Sequence, residues 1–133
     1  MPAASDVLRT HPHQPSTMGL IIACVEACTE CARACSACAD ACLSEENVAE
    51  LRECIRLNLD CADVSAATGA VVSRLTRPHR TPMKAVLQAC IESCRTCGDV
   101  CASHAEMHGH CRVCAELCRN CERACAALLG AIP

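Results

Sequence analysis

The chain has 133 residues and a net charge of −3, with 17 cysteines and no phenylalanine, tyrosine or tryptophan. Because it has neither a basic cluster nor aromatic rings on which bases could stack, the composition argues against nucleic acid as a partner. No apolar run approaches the roughly 20 residues of a membrane span, and the N-terminal residues lack the apolar stretch of a secretory signal. We therefore expect a cytoplasmic protein of one domain, with no membrane partner. In that compartment dense cysteine indicates metal binding rather than disulfides.

Four long helices are predicted after a polar leader at residues 1–17, which has room for one short helical turn at most. Thr17 can cap the first helix, and Thr81-Pro82 is typical of the start of the third. Gly109 suits a left-handed C-cap after the third helix. The predicted helices span residues 18–42, 45–75, 82–108 and 111–129. Because the connections are short, we expect an all-α fold, an antiparallel up-down-up-down four-helix bundle over residues 18–129 with a cysteine-lined core.

The cysteines recur at alternating steps of three and four residues on three of the predicted helices. This spacing puts each set on one helix face, at positions that a bundle normally fills with leucine. The first helix carries Cys24, Cys28, Cys31, Cys35, Cys38 and Cys42, the second Cys54 and Cys61, the third Cys90, Cys94, Cys97 and Cys101, and the fourth Cys111, Cys114, Cys118, Cys121 and Cys125. Asn58 and Ser65 share the seam of the second helix and are interpreted as hydrogen-bonded spacers. One or two buried thiols could be ordinary core residues, but this pattern indicates a metal-binding core.

The spacing favours Cu(I) among the metals that bind thiolates. Neighbouring thiols on one helix face lie about 5–6 Å apart at Cβ, which suits two thiolates sharing one ion. Structural zinc sites instead close a tetrahedron of four ligands, whereas soft thiolates select Cu(I). One Cu(I) per thiolate also leaves the buried row neutral, so we expect a capacity of about one Cu(I) per cysteine.

The two ends of the predicted bundle differ in composition. One end gathers Cys42, His104, Met107, His108, His110 and Cys111, and the other gathers Leu20, Leu75, Leu87 and Leu128. We expect copper to enter at the first end, with His104, Met107 and His108 as further ligands, and the leucines to plug the second. Other interpretations stay open, because imidazoles also favour helix C-termini and Met107 fits a gap-filling core residue. We interpret His110 as a loop residue.

These features resemble the bacterial copper storage proteins, specifically their cytosolic branch, over about residues 18–129. The resemblance rests on the run of six cysteines from Cys24 to Cys42, on the stripes of the third and fourth helices, and on the lack of a signal sequence. It implies a four-helix bundle that holds several Cu(I) ions per chain, mainly by thiolates. It also implies a homotetramer whose role is to store or sequester copper.

Three other functions stay open from the sequence. The first is a general thiolate buffer for zinc or cadmium, and the second is an iron–sulfur redox protein, although such clusters use cysteines borne on loops. The third is a scaffold linked by disulfides, although an odd number of cysteines cannot all pair within one chain. We do not expect an enzyme, because the chain carries no glycine-rich phosphate loop and no Glu-x-x-His motif.

Overall fold

The computed structural model describes all 133 residues, and its secondary structure is entirely helical. A single helical turn in the leader is followed by four long helices, the second of which is preceded by a short 3-10 helix. None of the helices has the combination of length and apolar character that crossing a membrane would require. The elements are α1 (Asp6–Arg9), α2 (Met18–Leu43), the 3-10 helix (Val48–Leu51), α3 (Arg52–Val72), α4 (Arg80–Ser103) and α5 (Gly109–Gly130).

The segment after α2 is a turn, and this corrects the predicted helix start at residue 45. The amide of Ser44 donates to the carbonyl of Ala41 at 3.1 Å, and the amide of Glu45 donates to that of Cys42 at 3.2 Å. These amides satisfy carbonyls at the end of α2, so they do not open a new helix. Glu45 therefore lies in the connection, and regular α-helix resumes only at Arg52.

The connection between α3 and α4 also differs from the prediction. α3 ends at Val72 rather than at residue 75, although Leu75 stays buried beyond the helix end. The next helix starts at Arg80, with His79 as its N-cap, rather than at residue 82. Pro82 therefore sits within the first turn of α4, where a missing N–H costs no hydrogen bond.

The segment between α4 and α5 is where the prediction fails most. α4 ends at Ser103, five residues before the predicted end, and residues 104–107 form turns. Gly109 is the first residue of α5 and has no positive φ, so it is not the left-handed C-cap that we expected. His108 is the N-cap of α5, with an extended backbone at φ −134° and ψ 113°. The histidines of this segment thus belong to a connection and not to a helix face.

The four long helices surround one interior. α2 packs against α3 and α5, and α4 packs against the same two helices. Contacts between sulfur atoms of α2 and α5 run in opposite order along the two helices, from Cys24 beside Cys125 to Cys38 beside Cys111. The cysteine faces of the helices therefore meet along the whole length of the interior.

Apolar side chains close the end of the interior at which α2 begins. The side chains buried at or near this end are Ile21, Leu75, Leu87 and Leu128. Leu20, which we expected in this plug, is 37% exposed, and its neighbour Ile21 points inward instead. His13 and Pro15 of the leader line the same surface pocket as Leu75 and Leu128. The leader thus lies beside the apolar end.

Candidate metal centre

All 17 cysteines are free thiols, and each is at most 2% exposed. The helical period explains this, because alternating steps of three and four residues keep the sulfur atoms on the inward face of each helix. Sulfur atoms of α2 and α5 form a ladder of close pairs. Its rungs are Cys24–Cys125 at 3.7 Å, Cys28–Cys121 at 3.8 Å, Cys35–Cys118 at 3.6 Å, Cys35–Cys114 at 3.8 Å and Cys38–Cys111 at 4.0 Å.

The seam of α3 is a mixture of thiols and other polar groups. Asn58 is fully buried, and its Oδ1 lies 3.1 Å from the sulfur of Cys97 and 3.1 Å from that of Cys114. Its Nδ2 donates to the Cys54 sulfur at 3.4 Å. Ser65 Oγ lies 3.7 Å from the Cys90 sulfur. Both spacers predicted from the sequence therefore contact thiols directly.

The thiols of all four helices meet in the middle of the interior. The sulfur of Cys31 lies 3.9 Å from those of Cys61, Cys94 and Cys118, which belong to α3, α4 and α5. Groups whose ligand atoms all lie within 4.8 Å of one another include Cys28/Cys90/Cys121/Cys125, Cys31/Cys35/Cys61/Cys118, Cys35/Cys97/Cys114/Cys118 and Cys31/Cys94/Cys121.

These groups overlap, and the overlap determines what they can bind. Cys35 and Cys118 each belong to two of the four-sulfur groups, and Cys31 and Cys121 link further groups. Separate mononuclear zinc sites would compete for the shared thiolates, because each closed site needs four ligands. A continuous cluster of soft monovalent ions uses shared thiolates as bridges, and Cu(I) is the soft ion that prefers such ligands.

Burial keeps the Cys42 and Cys111 thiols protonated when no metal is bound. Removal from water raises the pKa of the Cys42 thiol, and it raises the pKa of Cys111 to about 12, with the Cys54 sulfur adding to the effect at both. The neutral thiol is the form that a low-dielectric interior favours. Metal binding at these residues must therefore release protons.

The end of the interior opposite the leucines carries an imidazole among the thiols. His110 Nδ1 lies 3.4 Å from the Cys38 sulfur and 3.6 Å from that of Cys111. Together with Cys42 these residues form a further group that could hold a metal ion. His110 was expected at this end only as a loop residue, whereas it lies in the first turn of α5. One signal for its role was available: it precedes Cys114 by four residues and so shares its helix face.

The three other ligands predicted at this end differ in their surroundings. His108 is nearly buried, with its side chain 10% exposed, and its Nδ1 lies 2.6 Å from Glu45 Oε2. Its Nε2 is buried without a hydrogen-bond partner. Met107 is 69% exposed, which also excludes the interpretation as a core residue. His104 caps the end of α4 and is half-buried.

Glu45 is the acidic group of this end. Its Oε2 lies 3.0 Å from His110 Nε2 as well as close to His108. The hydrogen bond from His110 lowers the pKa of the Glu45 carboxyl, and the positive charge that either imidazole can carry acts in the same direction. Glu45 is therefore ionised at neutral pH and acts as a hydrogen-bond acceptor.

Comparison with known proteins identifies the family. Residues 19–130 match the family model described as copper storage protein. The chain belongs to the copper storage protein family. The resemblance inferred from the cysteine spacing is confirmed, and the match covers the four long helices except for Met18.

Solved structures of another member support the assignment. The copper storage protein Ccsp of Streptomyces lividans, loaded with 10 copper equivalents, is 54% identical and superposes with a TM-score of 0.92, covering 96% of this chain and 98% of that chain. A second structure of the Streptomyces protein, described as a cytosolic copper storage protein loaded with five coppers, is 58% identical. It superposes with a TM-score of 0.83 over 84% of this chain and 93% of that chain.

A more distant relative comes from Bacillus subtilis. The cysteine-rich protein YhjQ, described as uncharacterized, is 35% identical over 90 residues, which are 68% of this chain and 78% of that protein.

Proposed function

We propose that the protein stores many Cu(I) ions in the thiolate-lined interior of its helices. The observation that carries this proposal is the overlap of the buried four-sulfur groups, in which Cys35 and Cys118 are shared. Shared thiolates allow a continuous cluster, and one Cu(I) per thiolate removes the charge that would otherwise make such a cluster too costly to bury. The role is binding and release, with no catalytic step.

The arrangement that suits this role is an antiparallel up-down-up-down four-helix bundle. Two observations support it. Sulfur contacts between α2 and α5 run in opposite order, and those between α3 and α4 do so too, from Cys54 beside Cys101 to Cys61 beside Cys94. Short connections between long helices favour the same topology.

Copper enters, in this proposal, at the end formed by the α2–α3 and α4–α5 connections. The support is the difference between the ends. At this end the side chains of Glu45 and His110 are 32% and 26% exposed, and the His110 ring reaches the Cys38 and Cys111 sulfurs. The opposite end is closed by Leu75 and Leu128, which are only 4% and 3% exposed. A soft cation finds ligands at one end and an apolar barrier at the other.

Cellular location and assembly follow as part of the proposal. The Streptomyces relative is described as cytosolic, and a reducing cytosol would keep free thiols ready for metal.

A homotetramer is implied by the family resemblance. Its formation would cover some of the large apolar side chains that a single chain leaves exposed, among them Leu43 at 62% and Leu59 at 47%. Light scattering of the apo and loaded protein measures the assembly state.

A zinc buffer is the second candidate, because the four-sulfur groups named above each draw on three helices and could close a tetrahedron. An anaerobic titration of the reduced apo-protein with Cu(I), against a competing chelator and in parallel with Zn(II), separates the two. We expect a sharp endpoint near one Cu(I) per cysteine and displacement of zinc by copper. An endpoint at only a few ions per chain, or retention of zinc in the presence of Cu(I), would contradict the copper store.

A further inference from the structure

One carboxylate oxygen orients two imidazoles at the copper entrance. Glu45 Oε2 lies 2.6 Å from Nδ1 of His108 and 3.0 Å from Nε2 of His110. The two rings are stacked, with centroids 5.4 Å apart and planes inclined by 20°. Glu45 lies in the turn after α2, whereas both histidines belong to the α4–α5 junction. The carboxylate therefore ties the rings to a different connection of the chain.

The contacts determine which nitrogen of each ring carries the proton. A carboxylate can only accept, so the neutral His110 ring donates from Nε2 and keeps its lone pair on Nδ1. That nitrogen is the one that faces the sulfurs of Cys38 and Cys111, at 3.4 and 3.6 Å. Without the carboxylate the ring is free to place its proton on Nδ1, where it would block the metal.

The same carboxylate oxygen of Glu45 determines the tautomer of His108. Its Nδ1 donates to Glu45, so its Nε2 presents a lone pair, and that nitrogen is buried with no hydrogen-bond partner. A buried polar atom without a hydrogen-bond partner lowers the stability of the fold, so its presence in a native structure calls for an explanation. A metal ion passing through the entrance is a partner that suits an imidazole lone pair.

We propose that Glu45 is the positioning residue of the copper entrance: it holds His108 and His110 in the tautomers that offer their free nitrogens to incoming Cu(I). This inference rests on the proposed function, and it assigns a role to a residue that need not touch the metal. Carboxylates that accept from metal-binding imidazoles typically change affinity or activity by about 10–100-fold when removed. The adjacent Glu46 is exposed and forms no ion pair, which makes it a matched control.

The first test uses the apo-protein and needs no metal. Long-range ¹H–¹⁵N spectra of the histidine rings report which nitrogen is protonated. We expect the Nε2–H tautomer for His110 and the Nδ1–H tautomer for His108 in the wild type and in Glu46→Gln, and a mixture of tautomers in Glu45→Gln. A wild-type His110 that carries its proton on Nδ1 would overturn the proposal.

The second test measures loading by stopped flow, with Cu(I) supplied as its bicinchoninate complex. We expect Glu45→Gln to load about 10-fold more slowly, Glu45→Asp to recover part of the rate because it keeps a carboxylate, and Glu46→Gln to match the wild type. The double variant Glu45→Gln/His110→Ala should load more slowly than His110→Ala alone by a smaller factor than Glu45→Gln slows the wild type, since Glu45 then acts through His108 only.

Two results of the loading test overturn the positioning role: a wild-type rate in Glu45→Gln, or slow loading with unchanged tautomers, which would indicate a merely structural tie between the loops. Failure of the storage proposal looks different. In that case the wild type itself would take up only a few ions in the endpoint titration, whatever residue stands at position 45. Circular dichroism of each apo variant, with Glu45→Asp as the milder change, shows that the fold is intact.

Discussion

A thiol serves two purposes in this core. As a small apolar group it packs like any buried side chain, which lets the apo interior form from 17 residues that are at most 2% exposed. As a thiolate it is a soft ligand that selects Cu(I). The same side chain therefore fills the interior before loading and binds the cargo afterwards, so folding does not have to wait for metal as it does in a zinc finger.

Replacement of one central thiol should remove about one copper site. Cys31 contacts sulfur atoms on all three other long helices, so we expect Cys31→Ser to lower the Cu(I) capacity by about one ion per chain. The hydroxyl is close in size, so the apo circular dichroism should keep its helical signal. Thr29→Ser, on the exposed face of α2, is the control and should leave the capacity unchanged. Loss of helicity in Cys31→Ser would count against a preformed core.

The apo-protein should lose stability as the solution becomes alkaline. Burial raises the pKa of Cys42 and raises that of Cys111 from its ordinary value of 9.0 to about 12. Because folding favours the neutral thiol, this contribution to stability is complete below pH 9 and is lost as the pH rises toward 12. Urea unfolding of the reduced apo-protein at pH 8 and at about pH 10.5 measures the effect.

Copper-loaded protein is the control for the alkaline experiment. Its cysteines are already ligated as thiolates, so no thiol proton remains to be lost and its stability should change far less over the same interval. An apo-protein whose free energy of unfolding stays constant or increases above pH 9 would contradict the direction of these pKa shifts.

At the scale of elements, α3 differs from its three neighbours. It carries two thiols, and Asn58, Ser65 and Thr68 occupy other buried positions of its seam. It also approaches α2 closely at Gly69, where an added Cβ would lie 3.1 Å from the Cβ of Cys28. Because α3 has few thiols and lies close to α2, we interpret the α2–α3 contact as mainly structural.

A pair of glycine substitutions should separate a rigid contact from a flexible one. Gly69→Ala would press on Cys28, which is fixed on a packed helix, and we expect a loss of about 1–2 kcal/mol in the free energy of unfolding. At Gly98 the atom that an added Cβ would meet, also at 3.1 Å, is the Nη1 at the end of the Arg119 side chain. That side chain can move, so Gly98→Ala should gain up to about 1 kcal/mol from helix propensity.

Urea unfolding of the two apo variants, compared with the wild type, measures both effects. The comparison is internally matched, because each variant adds one methyl group to a buried helical glycine. Equal changes in the free energy of unfolding would contradict this expectation, in which the neighbouring side chain's freedom to move decides whether the added methyl group stabilises or destabilises the fold.

The whole molecule is asymmetric along its length. The leader and the apolar side chains close the end near Leu75 and Leu128, whereas the other end carries Glu45, His108 and His110 next to the outermost thiols. In a storage protein this asymmetry separates two properties. Capacity depends on the thiols of the interior, and the rate of exchange depends on the open end.

Histidines at the open end should therefore affect rate more than capacity. We expect replacement of His104 and His108 by alanine to slow Cu(I) loading or release while the endpoint stays near that of the wild type, because neither residue belongs to the cysteine seam. Stopped-flow loading and an endpoint titration measure the two quantities. Alanine at His11 and His13 of the leader, far from this end in the chain, is the control. Unchanged rates in the His104/His108 variant would contradict copper entry at this end.

Prediction from the sequence was most successful where the signal is local. The steps of three and four residues between cysteines depend only on the helical period, so the helical class, the thiol-lined faces and the soft-metal chemistry could be inferred without coordinates. It was least successful at helix ends, because an end is determined by which amides and carbonyls find partners in the folded chain. The start of α3 and the end of α4 illustrate this. The amides of Ser44 and Glu45 bond to carbonyls of α2 instead of opening a helix, and His104 closes α4 before the predicted end.

The sequence by itself thus determined that this protein is helical, that its thiols line one interior, and that they suit Cu(I). Only the tertiary structure decided which thiols are shared between groups and that His110, rather than His104 or Met107, faces the sulfur atoms. It alone joined Glu45 to the two histidines, which stand 63 and 65 residues away in the chain. The reason is physical: a helix face is fixed by spacing along the chain, whereas a ligand set is fixed by the distance between chain segments that only folding brings together.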